Sequence, residues 1–128
     1  MTNRIVDPSG IAPPAANYAH AVVSERPDRL LHTSGVVPTA PDGSVATDVG
    51  QQAVEVWRTI GALLADADMG PRDIVSVTTY VVPDQDLASV MAARDAFLDG
   101  HLAASTLVTV PALARPEWLM EIAIVAAR

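Results

Sequence analysis

One acid, one Ser-Gly pair and one loop arginine stand out from an otherwise aliphatic chain. Glu121 interrupts LMEIAIVAA, with Leu119, Met120, Ile122 and Ile124 around it. A carboxylate partly desolvated in a cleft has its pKa raised toward the range useful for proton transfer, and it can hold a water against an electrophilic carbon. The alternative is an edge-strand carboxylate turned to solvent. Ser34 and Gly35, in HTSGVVP, sit where an apolar run meets a bend. Glycine lets a ligand approach the backbone, and its amide can donate to developing negative charge; a plain strand-end turn accounts for the same pair. Arg115, in ALARPEW, is the only cation between Arg94 and Arg128. It can fork onto a carboxylate or stand solvated in its loop. Tyr18 and Trp118 can line a pocket or pack as core or interface aromatics. His20 reads as a packed imidazole in preference to a polar contact.

Several chemistries are excluded by what the chain lacks. It has no cysteine, so no thiolate nucleophile, disulfide or thiolate metal site is available. All eight basic residues are arginine, which removes Schiff-base catalysis by a lysine amine. His20, His32 and His101 are far apart and lack metal-binding spacing, so no metal is expected, and nothing calls for a cofactor. No His-Asp pair is in evidence to activate Ser34 or Ser105, and G-x-S-x-G is absent. The net charge of -7 argues against nucleic-acid binding, which needs clustered cations. MTNRIVDPSG carries no apolar signal region, and no run approaches the ~20 apolar residues of a membrane span. The expected location is the cytoplasm.

These residues must be positioned by a single domain over residues 1–128, half of it hydrophobic but only 4% aromatic. The first seventeen residues, rich in Pro and Ala, read as irregular. YAHAVVS from Tyr18 and LLHTSGVVP to about Pro38 read as strands, and Asp42-Gly43 in TAPDGSV as a hairpin turn. Asp48 is an N-cap for a helix through about Asp66, with Ala53, Val56, Trp57, Ile60, Leu63 and Leu64 on its buried face. IVSVTTYVV is a central strand, Asp86 caps a second helix that stops at Gly100, and AASTLVTV and LMEIAIVAA are strands joined by PALARPEW. The order β-β, α, β, α, β-β gives an α+β layer with both helices on one face of a mixed sheet. Because the strands are apolar at nearly every position, the other face should be apolar too, and covered by oligomerisation.

The order of these motifs resembles the RidA (YjgF) family of enamine/imine deaminases over essentially the whole chain. PPAANYAHAV looks like that family's lead into G-P-Y-x-Q-A, with His20 in the place of Gln. LLHTSGVVP resembles its S-G-Q-I-P strand, with Val36 for Gln. DIVSVTTYVVPDQDLASVMAARDAFL is close to D-I-V-K-T-T-V-F-V-x-D, and LMEIAIVAA resembles the V-E-I-E-A-I-A ending, which puts Glu121 on the family's acid. The resemblance implies a chorismate-mutase-like fold, a homotrimer around a central β-barrel, and small-molecule sites at the subunit interfaces. It implies hydrolysis of 2-imino acids, with the acid positioning water and an arginine in P-A-R-S holding the substrate carboxylate. AAST falls on P-A-R-S, so Ser105 stands at the arginine position. A hydroxyl cannot make the forked ion pair, and losing it should cost a buried carboxylate about 2–5 kcal/mol.

Two readings follow from the resemblance. In one, the chain is an enzyme that hydrolyses small imine- or enamine-type substrates, or acts on a different electrophile in a pathway. Glu121 is its acid/base, Gly35 and the backbone around Leu107 are donors, Ser105 meets a group other than a carboxylate, and Tyr18, Ser34, Arg115 and Trp118 line the site. In the other, it is a non-catalytic trimer that binds a small ligand or a partner protein in the same clefts.

Overall fold

The computed structural model describes residues 2–128. The strands are β1 (Asn3–Val6), β2 (Ala21–Ser24), β3 (Leu30–His32), β4 (Ile74–Val81), β5 (Ala104–Thr109) and β6 (Met120–Ala127); the helices are α1 (Val49–Asp66) and α2 (Leu87–Leu98). Both helices begin where the capping residues demand. The Asp48 carboxylate accepts from the Gln51 amide at 2.9 Å, and that of Asp86 from the Ala88 amide at 3.1 Å. Ser89 donates to Asp86 as well, and that hydrogen bond is the main reason the Asp86 carboxyl titrates below the ordinary range.

Four strands form one mixed sheet in the order β3-β6-β4-β5. β6 runs antiparallel to both β3 and β4, while β4 and β5 are parallel. β3-α1-β4 and β4-α2-β5 are therefore crossovers between parallel strands that advance in the same direction across the sheet. Right-handed crossovers of this kind place both helices on one face. There Ala53, Val56, Trp57, Ile60 and Leu64 of α1 and Val90 and Leu98 of α2 pack against Val77, Val81, Met120, Ile122 and Ile124. Trp57 stacks on Phe97 with ring centroids 4.9 Å apart, locking the helices together. Leu63, expected on the buried face, is 43% exposed at its margin.

The N-terminal segment departs from the sequence reading. Residues 3–6 form a strand paired with β2, because the alternating NRIV meets an equally β-prone AVVS. The second strand starts at Ala21, and Tyr18 lies ahead of it. Ala19 bonds to Ala103 at 3.0 Å and bridges Ala104, tying this hairpin to the β5 edge. The Asp42-Gly43 signal produces a tight turn, with Gly43 at φ 88° and one bridge between Thr39 and Val45.

The uncovered sheet face also differs from expectation. Burial alternates along β4 and β6, so the aliphatic residues turn to the helices. The opposite face carries Ser76, Thr78 and Tyr80 from β4, Ala104, Thr106 and Val108 from β5, and Glu121, Ala123 and Val125 from β6. Thr and Ser satisfy β-propensity without being apolar, and the run that looks continuously hydrophobic is two-sided. The uncovered face is thus mixed rather than greasy.

One buried polar side chain fixes the loop ahead of β6. Gln52, fully buried on α1, donates to the carbonyls of Ala46 (2.7 Å) and Glu117 (2.9 Å) and accepts from the Leu119 amide (2.9 Å). Three backbone groups of two loops thereby find partners away from water. Gln52→Leu, which keeps the volume but orphans all three, should lower unfolding free energy by about 3 kcal/mol in denaturant titration, the upper part of the range for stranded buried groups.

Candidate functional site

β3 continues past its regular end and stays beside β6, but with one residue too many. Thr33 bonds to Ile124, and Val36 exchanges both backbone hydrogen bonds with Ile122. Two residues, Ser34 and Gly35, therefore oppose the single residue Ala123. This is a β-bulge, a device that re-aims side chains beside it, and it is the bend that HTSGVVP signals.

Gly35 of the bulge lies against the carboxylate of Glu121. A Cβ built on Gly35 would overlap Glu121 Oε2 and come within 2.9 Å of its Cδ. The absent side chain is the space the carboxylate occupies. Glu121 is half-buried on the face away from the helices, beside Tyr80 across the β4–β6 ladder. Among the described residues the ion pairs are Arg58–Glu55, Arg94–Asp95 and Arg115–Glu117, and Glu121 joins none of them. Its carboxylate faces a hollow of about 320 Å³ lined by Gly35, Tyr80, Val110, Ala112, Leu113, Glu121 and Ala123.

Arg115 and Trp118 line a neighbouring hollow of about 390 Å³, which shares Ala112 and Leu113 with the first. The Arg115 guanidinium lies 5.4 Å over the Trp118 ring and its side chain is 67% exposed. Trp118 buries its indole N–H without a partner among the described residues. Ser34 opens the other way, with Gly35, into a larger groove of about 610 Å³ between the β3 edge and the Thr59–Leu63–Asp66 side of α1.

The remaining expected residues lie elsewhere in the chain. Ser105 pairs with Val77 and Leu107 with Thr79, positions on the helix side of the sheet, so both point away from the Glu121 face. Tyr18 stands near them at the β5 edge, its hydroxyl accepting from the Ala15 amide at 3.2 Å. His20 is exposed rather than packed: its ring bonds to the Ala12 carbonyl at 2.7 Å and meets Tyr18 edge-on. The structure thus brings Glu121 and Gly35 together, keeps Arg115 and Trp118 adjacent, and holds Tyr18, Ser105 and Leu107 apart at the far edge. Tyr80 is the residue that sequence reasoning missed. Its signal is an aromatic in the otherwise aliphatic and hydroxylic IVSVTTYVV, but only the β4–β6 register sets it beside Glu121.

A two-helix, mixed-sheet domain with a single acid beside a glycine bulge now meets its relatives. The chain belongs to the family described as Endoribonuclease L-PSP, the YjgF/RidA family, whose match spans residues 10–128. A 2-iminobutanoate/2-iminopropanoate deaminase of Salmonella typhimurium is 36% identical over 73 residues, which are 56% of this chain and 57% of that protein. The match thus spans less than two thirds of that relative. YyfB from Yersinia pestis, a Rid-family protein of unknown function, is 32% identical and superposes over 100% of both chains with a TM-score of 0.90. The YjgF gene product of E. coli is 27% identical, with a TM-score of 0.72 over 98% of each chain.

The glycine contact has a direct consequence. Gly35→Ala introduces no positive-φ strain, so its methyl acts chiefly on Glu121. A crystal structure of the variant should show the carboxylate swung out of its place over the bulge, with unfolding free energy changed by no more than the ~1–3 kcal/mol of local overpacking.

Proposed function

We propose that the chain hydrolyses small imines or enamines to carbonyl compounds, with Glu121 as the acid/base that holds and deprotonates the attacking water. The observation that carries this reading is the unpaired Glu121 carboxylate, seated against Gly35 at the wall of a small-molecule-sized hollow. The relatives in Salmonella typhimurium and Escherichia coli are 2-iminobutanoate/2-iminopropanoate deaminases, and hydrolysis of an imine is chemistry that such an acid suits. Water oxygen bonds to the imine carbon, the C=N pair moves to nitrogen, and the carbinolamine collapses to carbonyl and amine.

The complete site is assembled by a homotrimer, as the family resemblance implies. The two ends of the sheet support this. β3 is one edge, with the Ser34–Gly35 groove beside it, and β5 is the other, open beyond the Ala19 bridge. Within one chain, Tyr18, Ser105 and Leu107 are separated from Glu121; across an interface, the β5 edge of a second copy closes the cleft. The mixed uncovered faces then line the barrel. The cytoplasm is the proposed location, and none of the chain's helices is long and apolar enough to cross a membrane among the described residues.

Ser105 alters the substrate range. Where the family resemblance calls for an arginine, a neutral hydroxyl leaves a substrate carboxylate without its forked partner. Arg115, solvated and stacked on Trp118, offers only the weak attraction of an exposed ion. RNA cleavage, which the family description names, is disfavoured by a net charge of -7 and the lack of any lysine.

Imines generated by an amino-acid oxidase and trapped with semicarbazide test the reading. The wild-type chain should hasten imine loss, and Glu121→Gln should lower the rate by about 10²–10⁴-fold, the usual span for a positioned general acid/base. Arg115→Ala should raise KM for carboxylate-bearing imines by less than about fivefold, since an exposed ion pair is worth ~0.2–1 kcal/mol. Sedimentation equilibrium should return three chains. A wild-type chain no faster than buffer on every imine, yet still binding small ligands, would establish the binding-module reading instead.

A further inference from the structure

Within one chain, the polar equipment of the Glu121 hollow consists of a carboxylate and a phenol, with no cation. Tyr80 and Glu121 are direct neighbours across the β4–β6 ladder and turn to the same face. The rest of the lining is Gly35, Val110, Ala112, Leu113 and Ala123. The Tyr80 hydroxyl takes part in none of the side-chain hydrogen bonds formed among the described residues, so its proton is available to a guest. A guest seated here meets one negative group, one neutral donor and an apolar wall. A substrate carboxylate would lie beside the Glu121 carboxylate, and like charges at such range repel. An uncharged C=N group finds a water-activating base and a proton donor side by side on the sheet.

We propose that this hollow takes carboxylate-free imines, and that Tyr80 is the catalytic proton donor to their nitrogen. The inference rests on the hydrolytic reading above and names its substrate class. In the hydration step the water oxygen bonds to the imine carbon while Glu121 takes the water proton. The C=N π pair moves to nitrogen, which takes the phenolic proton of Tyr80. Glu121 then returns its proton to the Tyr80 phenolate, its neighbour in the same row, and both groups are restored with a neutral carbinolamine bound. Collapse follows the same route: the carbinolamine hydroxyl gives its proton to Glu121, the C–N pair leaves on nitrogen, and Tyr80 protonates the departing amine. The products are an aldehyde or ketone and an amine or ammonia, with no redox partner required.

The test pairs two imines that differ only in the carboxylate. 2-Iminopropanoate comes from alanine and an amino-acid oxidase; the corresponding aldimine comes from ethylamine and an amine oxidase. Both are followed by semicarbazide trapping with the intact wild-type chain, Tyr80→Phe and Glu121→Gln. The wild type should accelerate the aldimine over buffer by at least about tenfold more than the imino acid. Tyr80→Phe keeps the ring and its packing, so its melting temperature and sedimentation should match the wild type, while kcat on the aldimine falls by about 10²-fold at similar KM. A wild-type preference for the imino acid, or a Tyr80→Phe chain with undiminished kcat, overturns this proposal and leaves imine hydrolysis standing. A wild type inert toward both imines overturns hydrolysis itself.

Discussion

Everything at the site depends on a missing side chain. Gly35 sits at a bulge where β3 gains one residue over β6, and the Glu121 carboxylate fills the volume that any other residue would claim. The contact does two things that a glycine in an ordinary turn would not. It fixes where the acid stands, because the bulge backbone bounds it on one side. It also brings a backbone bend within reach of whatever that acid touches. Carboxylates on strands normally swing into solvent, since water solvates the charge better than protein does. Here the acid remains half-buried beside a hollow instead.

The scaffold explains why such a position exists. Two same-direction crossovers put both helices on one face, and the aliphatic half of each strand is spent on that core. The opposite face has no internal partner and can carry hydroxyls, a phenol and an acid without disturbing the packing. Gln52 links the two halves of this arrangement. From the buried side of α1 it holds the backbone at Glu117 and Leu119, just ahead of the strand that bears Glu121 and just behind the loop that bears Arg115. Loop walls and acid are thus referenced to the same helix, as a preorganised site requires.

Much of this was legible in the residues, for identifiable reasons. Asp48 and Asp86 announce their helices because a short carboxylate before an apolar period has one favourable use there. Ser34-Gly35 and Glu121 stand out as polar or permissive residues inside apolar runs, and the fold sets Gly35 against Glu121 while Ser34 opens into the neighbouring groove. Long-range register was hidden. Nothing local says that Tyr80 lies beside Glu121, or that Ser105 and Leu107 turn to the opposite face from the acid. The two-sided character of IVSVTTYV was obscured because valine and threonine share a β-branched shape while differing in polarity. The N-terminal strand was masked by the Pro- and Ala-rich stretch after it, since a strand as short as Asn3–Val6 depends on its partner rather than on its own sequence.

The roles given to Glu121 and Tyr80 depend on what occupies the hollow that both of them line. The most direct measurement is a crystal structure of the wild-type chain soaked with acetamide, an unreactive planar analogue that presents both a carbonyl and a nitrogen. The amide should lie in the hollow bounded by Gly35, Ala123 and Leu113, its oxygen standing where the imine nitrogen would and accepting from the Tyr80 hydroxyl, and its N–H, or a bridging water, donating to the Glu121 carboxylate at about 2.7–3.2 Å. An amide bound elsewhere, with Glu121 turned out into bulk solvent, would contradict those roles.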